Sequence, residues 1–172
     1  MTPALRLAAV SDLDEIVALF QAAICNMVEH NILQWDEIYP ARDDIEADIQ
    51  NQEMYCHMEE GKIAAVMVIN AQQALEYSGG NWQFPHLKAA VLHRLCVHPA
   101  FQNRGLGRRM TLYAEEIARE NGHEVFRLDA FSQNPHALAM YESLGYLHAG
   151  SVTFRKGMFF LYEKKLSREG VI

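Results

Sequence analysis

The sequence predicts a single mixed α/β domain, on three observations. The 172 residues are 50% apolar and 22% charged, a globular composition in a length that suits one domain with a real core. Apolar residues recur at helical spacing in some stretches and run continuously or alternate in others. Glycine and proline mark the changes, giving the order β-α-α-β-β-β-α-β-α-β-β over residues 1–172 without repeat, low-complexity segment or linker.

Residues 5–10 are a short apolar run, read as the first strand. Ser11 is placed to cap a helix over 11–30, because Leu13, Ile16, Val17, Phe20, Ile24, Met27 and Val28 follow at helical spacing. The segment NILQWDEIYP sets Trp35 and Tyr39 beside Asp36 and Glu37 and ends at Pro40, which blocks further helix. A second helix over 43–50 carries Ile45 and Ile49 on one face, leaving Asp43, Asp44, Glu46 and Asp48 for a solvated face. Strands over 54–58 and 62–70 are joined by Glu59, Glu60 and Gly61, a hairpin by length and turn chemistry. Residues 71–87, with Gly79, Gly80, Trp82, Phe84, Pro85 and His86, read as a long loop or distorted strand. Trp82 there suits a small satellite core as well as a substrate contact.

A strand over 88–97, buried on both faces, leads into a helix over 106–121 with Leu106, Met110, Tyr113, Ala114 and Ile117 on one side and Gly122 just past its end. Residues 124–131 alternate, Phe126, Leu128 and Ala130 against Arg127 and Asp129, and form a strand. Asn134 as N-cap and Pro135 at the first helical position open a helix over 134–144 that Gly145 stops. Strands over 146–155 and 158–165 close the chain as a hairpin turning at Lys156 and Gly157.

The net charge of −7 argues against nucleic-acid binding, and it is segregated. Residues 1–76 hold 14 acids and 3 bases, whereas residues 77–114 hold no acid and five bases: Lys88, Arg94, Arg104, Arg108 and Arg109. An acid-free segment suits an anionic ligand, and the acidic part suits a cationic one. No apolar run approaches the ~18 residues that span a bilayer, and no signal pattern precedes the fold, so a cytoplasmic protein without a membrane partner is expected. Cys25, Cys56 and Cys96 lack metal or disulfide spacing and lie among apolar neighbours, so buried, reduced thiols and no metal are expected.

The stretch LHRLCVHPAFQNRGLG, residues 92–107, concentrates the chemistry. A strand feeding a glycine loop that opens a helix leaves backbone N–H groups unpaired in front of the helix dipole, which is an anion site. A nucleoside-triphosphate loop needs Lys and Ser or Thr after its last glycine, where Arg108 and Arg109 stand, and a dinucleotide fingerprint needs a third glycine where Met110 stands. What remains is Gln102-x-x-Gly105-x-Gly107 after Leu95, Cys96 and Val97.

That motif, with the block NPHALAMYESLGY containing Asn134, Ala137, Tyr141, Gly145 and Tyr146, resembles the GCN5-related N-acetyltransferases over residues 90–146. The first 76 residues resemble a small-molecule branch of that family. The resemblance implies the acyl-CoA N-acyltransferase fold: one mixed, mostly antiparallel sheet with splayed central strands, flanked by helices. It implies acetyl-CoA as co-substrate, its pyrophosphate on the amides of Gln102, Asn103, Arg104, Gly105, Leu106 and Gly107, with charge from Arg104, Arg108 and Arg109. Its pantetheine would lie along Leu95, Cys96 and Val97, with Asn134 bonding or bridging to it, and the Val97 amide or one beside it would polarise the thioester carbonyl. Tyr141 is the implied acid toward the departing thiolate and His93 the implied base, with His98, His86 and Glu37 in reserve. Trp35, Glu37, Tyr39 and His93 would line the side of a small-molecule amine. Acetylation of a protein or peptide amine, and a non-catalytic acetyl-CoA sensor, stay open beside it. The exposed edges of the last strands suit a homodimer.

Overall fold

The computed structural model describes residues 4–167. Its sheet has seven strands in the order β1-β2-β3-β4-β5-β7-β6: β1 (Leu5–Leu7), β2 (Met54–Glu59), β3 (Lys62–Asn70), β4 (Ala89–Val97), β5 (Val125–Phe131), β6 (Leu147–Phe154) and β7 (Gly157–Lys165). Four α-helices accompany it: α1 (Leu13–Glu29), α2 (Arg42–Gln50), α3 (Leu106–Glu120) and α4 (Pro135–Ser143). β4 and β5 are parallel, and the β1–β2, β2–β3, β5–β7 and β6–β7 pairs are antiparallel, so the sheet is mixed and mostly antiparallel. Among the described residues, no helix is long and apolar enough to cross a membrane. The chain divides into two compact units, one running to Ile69 and resuming over His93–Thr111, the other holding Asn70–Leu92 and the chain from Leu112.

In the first unit α1 lays Ile16, Leu19, Phe20 and Ala23 on a core that includes Ile45 and Ile49 of α2, Met54 and Cys56 of β2, and Cys96 of β4. The helix begins two residues later than its spacing predicts. The Asp12 carboxylate turns back to accept from the Ala9 N–H at 2.8 Å and pairs with Arg6 at 2.7 Å, so Ser11 sits inside a short 3₁₀ turn, Val10–Asp12, and caps nothing. The acids of α2 are likewise not all solvated: Asp48 is buried, and Asp44 accepts from the Ala41 N–H at 2.8 Å. Cys25 is exposed on α1, against the expectation of a buried thiol, whereas Cys56 and Cys96 are buried and all three are free. Burial pushes the Cys56 thiol up to about 11, so it is an inert core group. The β2–β3 turn places Glu60 and Gly61 at positive φ, 52° and 75°, the backbone a two-residue hairpin requires.

In the second unit the 71–87 segment folds around a short 3₁₀ turn, Leu75–Gly79, and is fastened at its aromatic residues. The Trp82 indole N–H donates to the Tyr77 carbonyl at 2.7 Å, its ring lies 5.6 Å from that of Tyr77, and the Arg127 guanidinium stands 4.2 Å from its centre. Trp82 therefore belongs to a satellite core with Tyr77, Val91, Ala149 and Leu161. Arg127 also donates to Gln73 and to the Phe84 carbonyl, and Glu163 of β7 accepts from the Gln83 N–H, so β5 and β7 hold the segment down. On α3 the buried face includes Glu115 and Ala118, with Tyr113 and Ile117 only half-buried. Glu115 is tolerated there because Lys164 and the Tyr146 hydroxyl both reach it, at 2.9 and 3.0 Å.

The packing of Trp82 distinguishes two adjacent glycines. A Cβ on Gly80 would stand 2.6 Å from the indole, while one on Gly79 meets nothing within 4 Å. Gly80→Ala should lower stability by about 1–3 kcal/mol and Gly79→Ala by less than about 0.5 kcal/mol in thermal denaturation. Equal losses would contradict the assigned role of Trp82.

Candidate active site

In the first unit, the half of β4 from His93 to Val97 has a fault in it. Arg94 has φ +50°, the left-handed region that a non-glycine strand residue avoids, so the pleat is interrupted one residue after His93. Its side chain forms a fork on Asp48 of α2, Nε to Oδ2 at 2.7 Å and Nη2 to Oδ1 at 2.6 Å, and Nη1 donates to the Tyr39 hydroxyl at 2.6 Å. Burial works against the Arg94 charge, yet Asp48 and Tyr39 outweigh it and hold its pKa above the usual guanidinium value. Beyond the fault, Leu95 and Val97 are half-buried and Cys96 is in the core. The His98 N–H donates to the Ala64 carbonyl at 2.9 Å, which ties the end of β4 to β3.

The strand then turns into α3. His98 Nδ1 accepts from the Ala100 N–H at 3.1 Å and starts the 3₁₀ turn Pro99–Phe101, giving this reserve base a capping role. The Gln102 side-chain amide donates to the Val97 carbonyl at 3.2 Å and closes the loop across its base. Asn103 and Gly105 are both left-handed, φ 61° and 72°, which reverses the chain tightly enough for the helix to start at Leu106. A Cβ at Gly105 would meet nothing within 4 Å, so the glycine answers a backbone angle and not a crowded contact. The Arg109 N–H reaches the Gly105 carbonyl at 3.1 Å, and the Leu106 and Gly107 amides ahead of it are first-turn donors of the helix. Arg109 pairs with Glu59 at 2.9 Å and Arg104 approaches Glu60 at 4.0 Å. Such surface pairs are worth at most about 1 kcal/mol.

The segment after α1 is a closed turn. The Asp36 carboxylate accepts from the Ile38 and Tyr39 N–H groups at 3.0 and 3.2 Å, and the Asp36 N–H donates to the Tyr39 carbonyl. Trp35 is in the core, edge-on to Phe20 at 5.5 Å, while Glu37, Ile38 and Tyr39 are exposed. Tyr39 precedes Pro40 through a cis peptide bond.

In the second unit, Asn134 caps α4 by accepting from the Ala137 N–H at 3.2 Å, and Tyr141 is buried between the rings of Tyr146 and Tyr162. Burial raises the Tyr141 pKa well above a free phenol, and the charge of Asp129 on β5 adds to it, so the hydroxyl keeps its proton. Asp129 went unread as a site residue. The Tyr77 hydroxyl donates to its Oδ2 at 2.6 Å, making a Tyr77–Asp129 pair next to the field that Tyr141 feels. The readable signal was an acid inside a strand whose alternate residues are all apolar. Among the described residues no group of three or more His, Cys, Asp or Glu could hold a metal ion.

Burial pushes the Asp129 carboxyl above its ordinary range, and the Tyr77 hydrogen bond pulls it only part of the way back. The folded chain therefore keeps a proton there where the unfolded chain has lost it, and stability falls as pH rises through that window. Asp129→Asn keeps an acceptor for Tyr77 and removes the charge. This variant should melt above the wild type at neutral pH, the gap closing as pH falls into the ordinary carboxylate range; a gap that widens in acid would contradict the assignment.

Compared with known proteins, residues 20–146 match the model of the acetyltransferase (GNAT) family. An L-methionine sulfoximine/L-methionine sulfone acetyltransferase of Salmonella typhimurium is 36% identical over 70 residues, 40% of this chain and 41% of that protein. A ribosomal protein bS18-alanine N-acetyltransferase of the same species is 36% identical over 63 residues, 37% of this chain and 43% of that protein. The matches thus span about two-fifths of these relatives' length. The crystal structure of a GNAT-family acetyltransferase from Streptococcus agalactiae aligns over 96% of this chain and 95% of that one, with TM-score 0.83 and 24% identity, a likeness of fold.

Proposed function

The chain belongs to the acetyltransferase (GNAT) family, and on that footing we propose that it is an acetyl-CoA-dependent N-acetyltransferase, acting as one domain on a primary amine of a small molecule. The observation that carries the proposal is the β4-to-α3 turn, in which Gln102 braces Val97 and left-handed Asn103 and Gly105 lead into the first turn of α3. Such a turn binds a phosphate through its backbone, and the residues from Gln102 to Gly107, with Arg104 and Arg108 at hand, suit the pyrophosphate of CoA. Acetyl-CoA would supply an activated acetyl thioester.

The roles of the chain's own residues follow. Leu95, Cys96 and Val97 offer backbone groups to the pantetheine, Asn134 bonds or bridges to it, and the Val97 amide stabilises charge on the carbonyl oxygen. His93 takes the proton the amine must lose, directly or through water. The amine nitrogen attacks the carbonyl carbon, the carbon–sulfur bond breaks, and Tyr141 gives its proton to the thiolate. The place of Tyr141 in the NPHALAMYESLGY block supports this role, and burial keeps its hydroxyl protonated. On the acceptor side, Glu37 and Tyr39 are the exposed members and Trp35 is their support from within the core. The sheet order bears on the homodimer: β7 lies inside the sheet, so β6 is the terminal strand that a second copy could meet.

A second reading, an N-terminal alanine of a protein as acceptor, is favoured by the likeness to the ribosomal-protein enzyme. Thiol release from acetyl-CoA, measured with spermidine, L-methionine sulfone, 2-phenylethylamine and a peptide beginning with alanine, separates the two. Release is expected with one of the small amines; release with the peptide alone favours the second reading, and acetyl-CoA binding without release in any arm favours a sensor. With the active acceptor, Tyr141→Phe and His93→Ala should each lower kcat by about 10²- to 10⁴-fold at nearly unchanged acetyl-CoA affinity. An unaltered kcat in Tyr141→Phe would remove it from the reaction.

A further inference from the structure

We infer that Arg94 is a positioning residue for the acceptor: its guanidinium fastens the Trp35-to-Pro40 turn to the strand that carries His93, without touching the reacting atoms. The inference rests on the enzymatic reading above and concerns residues of the first unit alone. Three features of Arg94 go together. Its backbone is left-handed at φ +50°, a conformation that persists only where surrounding contacts hold it. Its side chain, 15% exposed, is forked on the 7% exposed Asp48 through Nε and Nη2. The remaining nitrogen, Nη1, reaches the hydroxyl of Tyr39, whose ring lies 5.8 Å from the guanidinium carbon.

Stability alone does not account for this arrangement. A buried ion pair gains little over well-packed apolar side chains of the same volume, because both charges must first leave water. What the fork provides is direction. With Nε and Nη2 committed to Asp48, the planar guanidinium can present Nη1 along one line only, and that line ends at the Tyr39 hydroxyl. The turn it meets is closed on itself by Asp36, which holds the Tyr39 backbone, and anchored in the core by Trp35. Arg94 adds a tie from the Tyr39 hydroxyl to β4 and α2. It does so one residue after His93, so the same contact fixes the faulted backbone beside the proposed base and the exposed Ile38 and Tyr39 surface.

The test is a double-mutant cycle read as KM against kcat, using whichever of spermidine, L-methionine sulfone, 2-phenylethylamine and the alanine peptide the wild type acetylates best. Tyr39→Phe deletes one hydroxyl from an exposed ring and leaves the fold alone. Arg94→Gly removes the guanidinium and accepts the left-handed backbone. Each should raise the acceptor KM by about tenfold and leave the acetyl-CoA KM within about twofold, and the double variant should be no worse than Arg94→Gly. Arg94→Lys should not restore the acceptor KM, because a point charge does not reproduce the fork. An unchanged acceptor KM in Tyr39→Phe, additive effects in the double variant, or equal shifts in both KM values would overturn the inference. Should Arg94→Gly fail to fold, Arg94→Lys takes its place in the cycle, with the same acceptor KM shift and the same lack of additivity with Tyr39→Phe expected. A wild type that releases no thiol with any of the four acceptors overturns the enzymatic reading and this inference with it, whereas wild-type turnover with an unshifted Tyr39→Phe overturns the inference only.

Discussion

The backbone of β4 is the constraint on which the rest depends. Through Ala90, Val91 and Leu92 it is fully packed strand, and by Gln102 it must have become the tight turn that opens α3. The change begins at Arg94, whose left-handed backbone costs about 1–3 kcal/mol unless surrounding contacts hold it. The ion pair with Asp48 supplies those contacts, and Cys96 in the core and the His98 N–H on Ala64 secure the strand beyond it. A fault held this way leaves Leu95 and Val97 half-buried, which a regular central strand would not.

The acids of the N-terminal half turn out to serve this same framework. Asp12 holds Arg6, Asp14 holds Arg42, Glu15 accepts from the Ile63 N–H, Asp36 and Asp44 close turns, and Asp48 holds Arg94. A segment that reads as an electrostatic lure for a cation is, residue by residue, largely occupied with its own bases and amides. Exposed Glu37 is the acid of the 35–40 turn that keeps its face to solvent, beside Ile38 and Tyr39. The surface proposed for the acceptor is correspondingly more apolar than composition suggests.

The fold was legible because its signals are local. Gly105, Gly122 and Gly145 stand at positive φ where loops and helix ends require it, and Asn134 with Pro135 opens α4 as the cap pattern demands. What was not legible depends on partners far away in sequence. Ser11 looks like a cap until Arg6 draws Asp12 back on the turn, and Glu115 and Arg127 look solvated until Lys164, Tyr146 and Glu163 neutralise them. Asp129 and Arg94 belong to this second group. Their chemistry arises from Tyr77, 52 residues from Asp129, and from Asp48, 46 residues from Arg94, separations that no periodicity encodes.

In the proposed reaction the acetyl group passes in one step from thioester to amine, steered by backbone groups of β4 and the protons of His93 and Tyr141. The most direct measurement is mass spectrometry after incubation with acetyl-CoA deuterated in its acetyl group, with the protein and the acceptor analysed separately. Label is expected on the acceptor nitrogen and none on the protein at any time, with or without acceptor. Label carried on a side chain of the protein, such as the exposed Cys25, and chased onto added amine would contradict it.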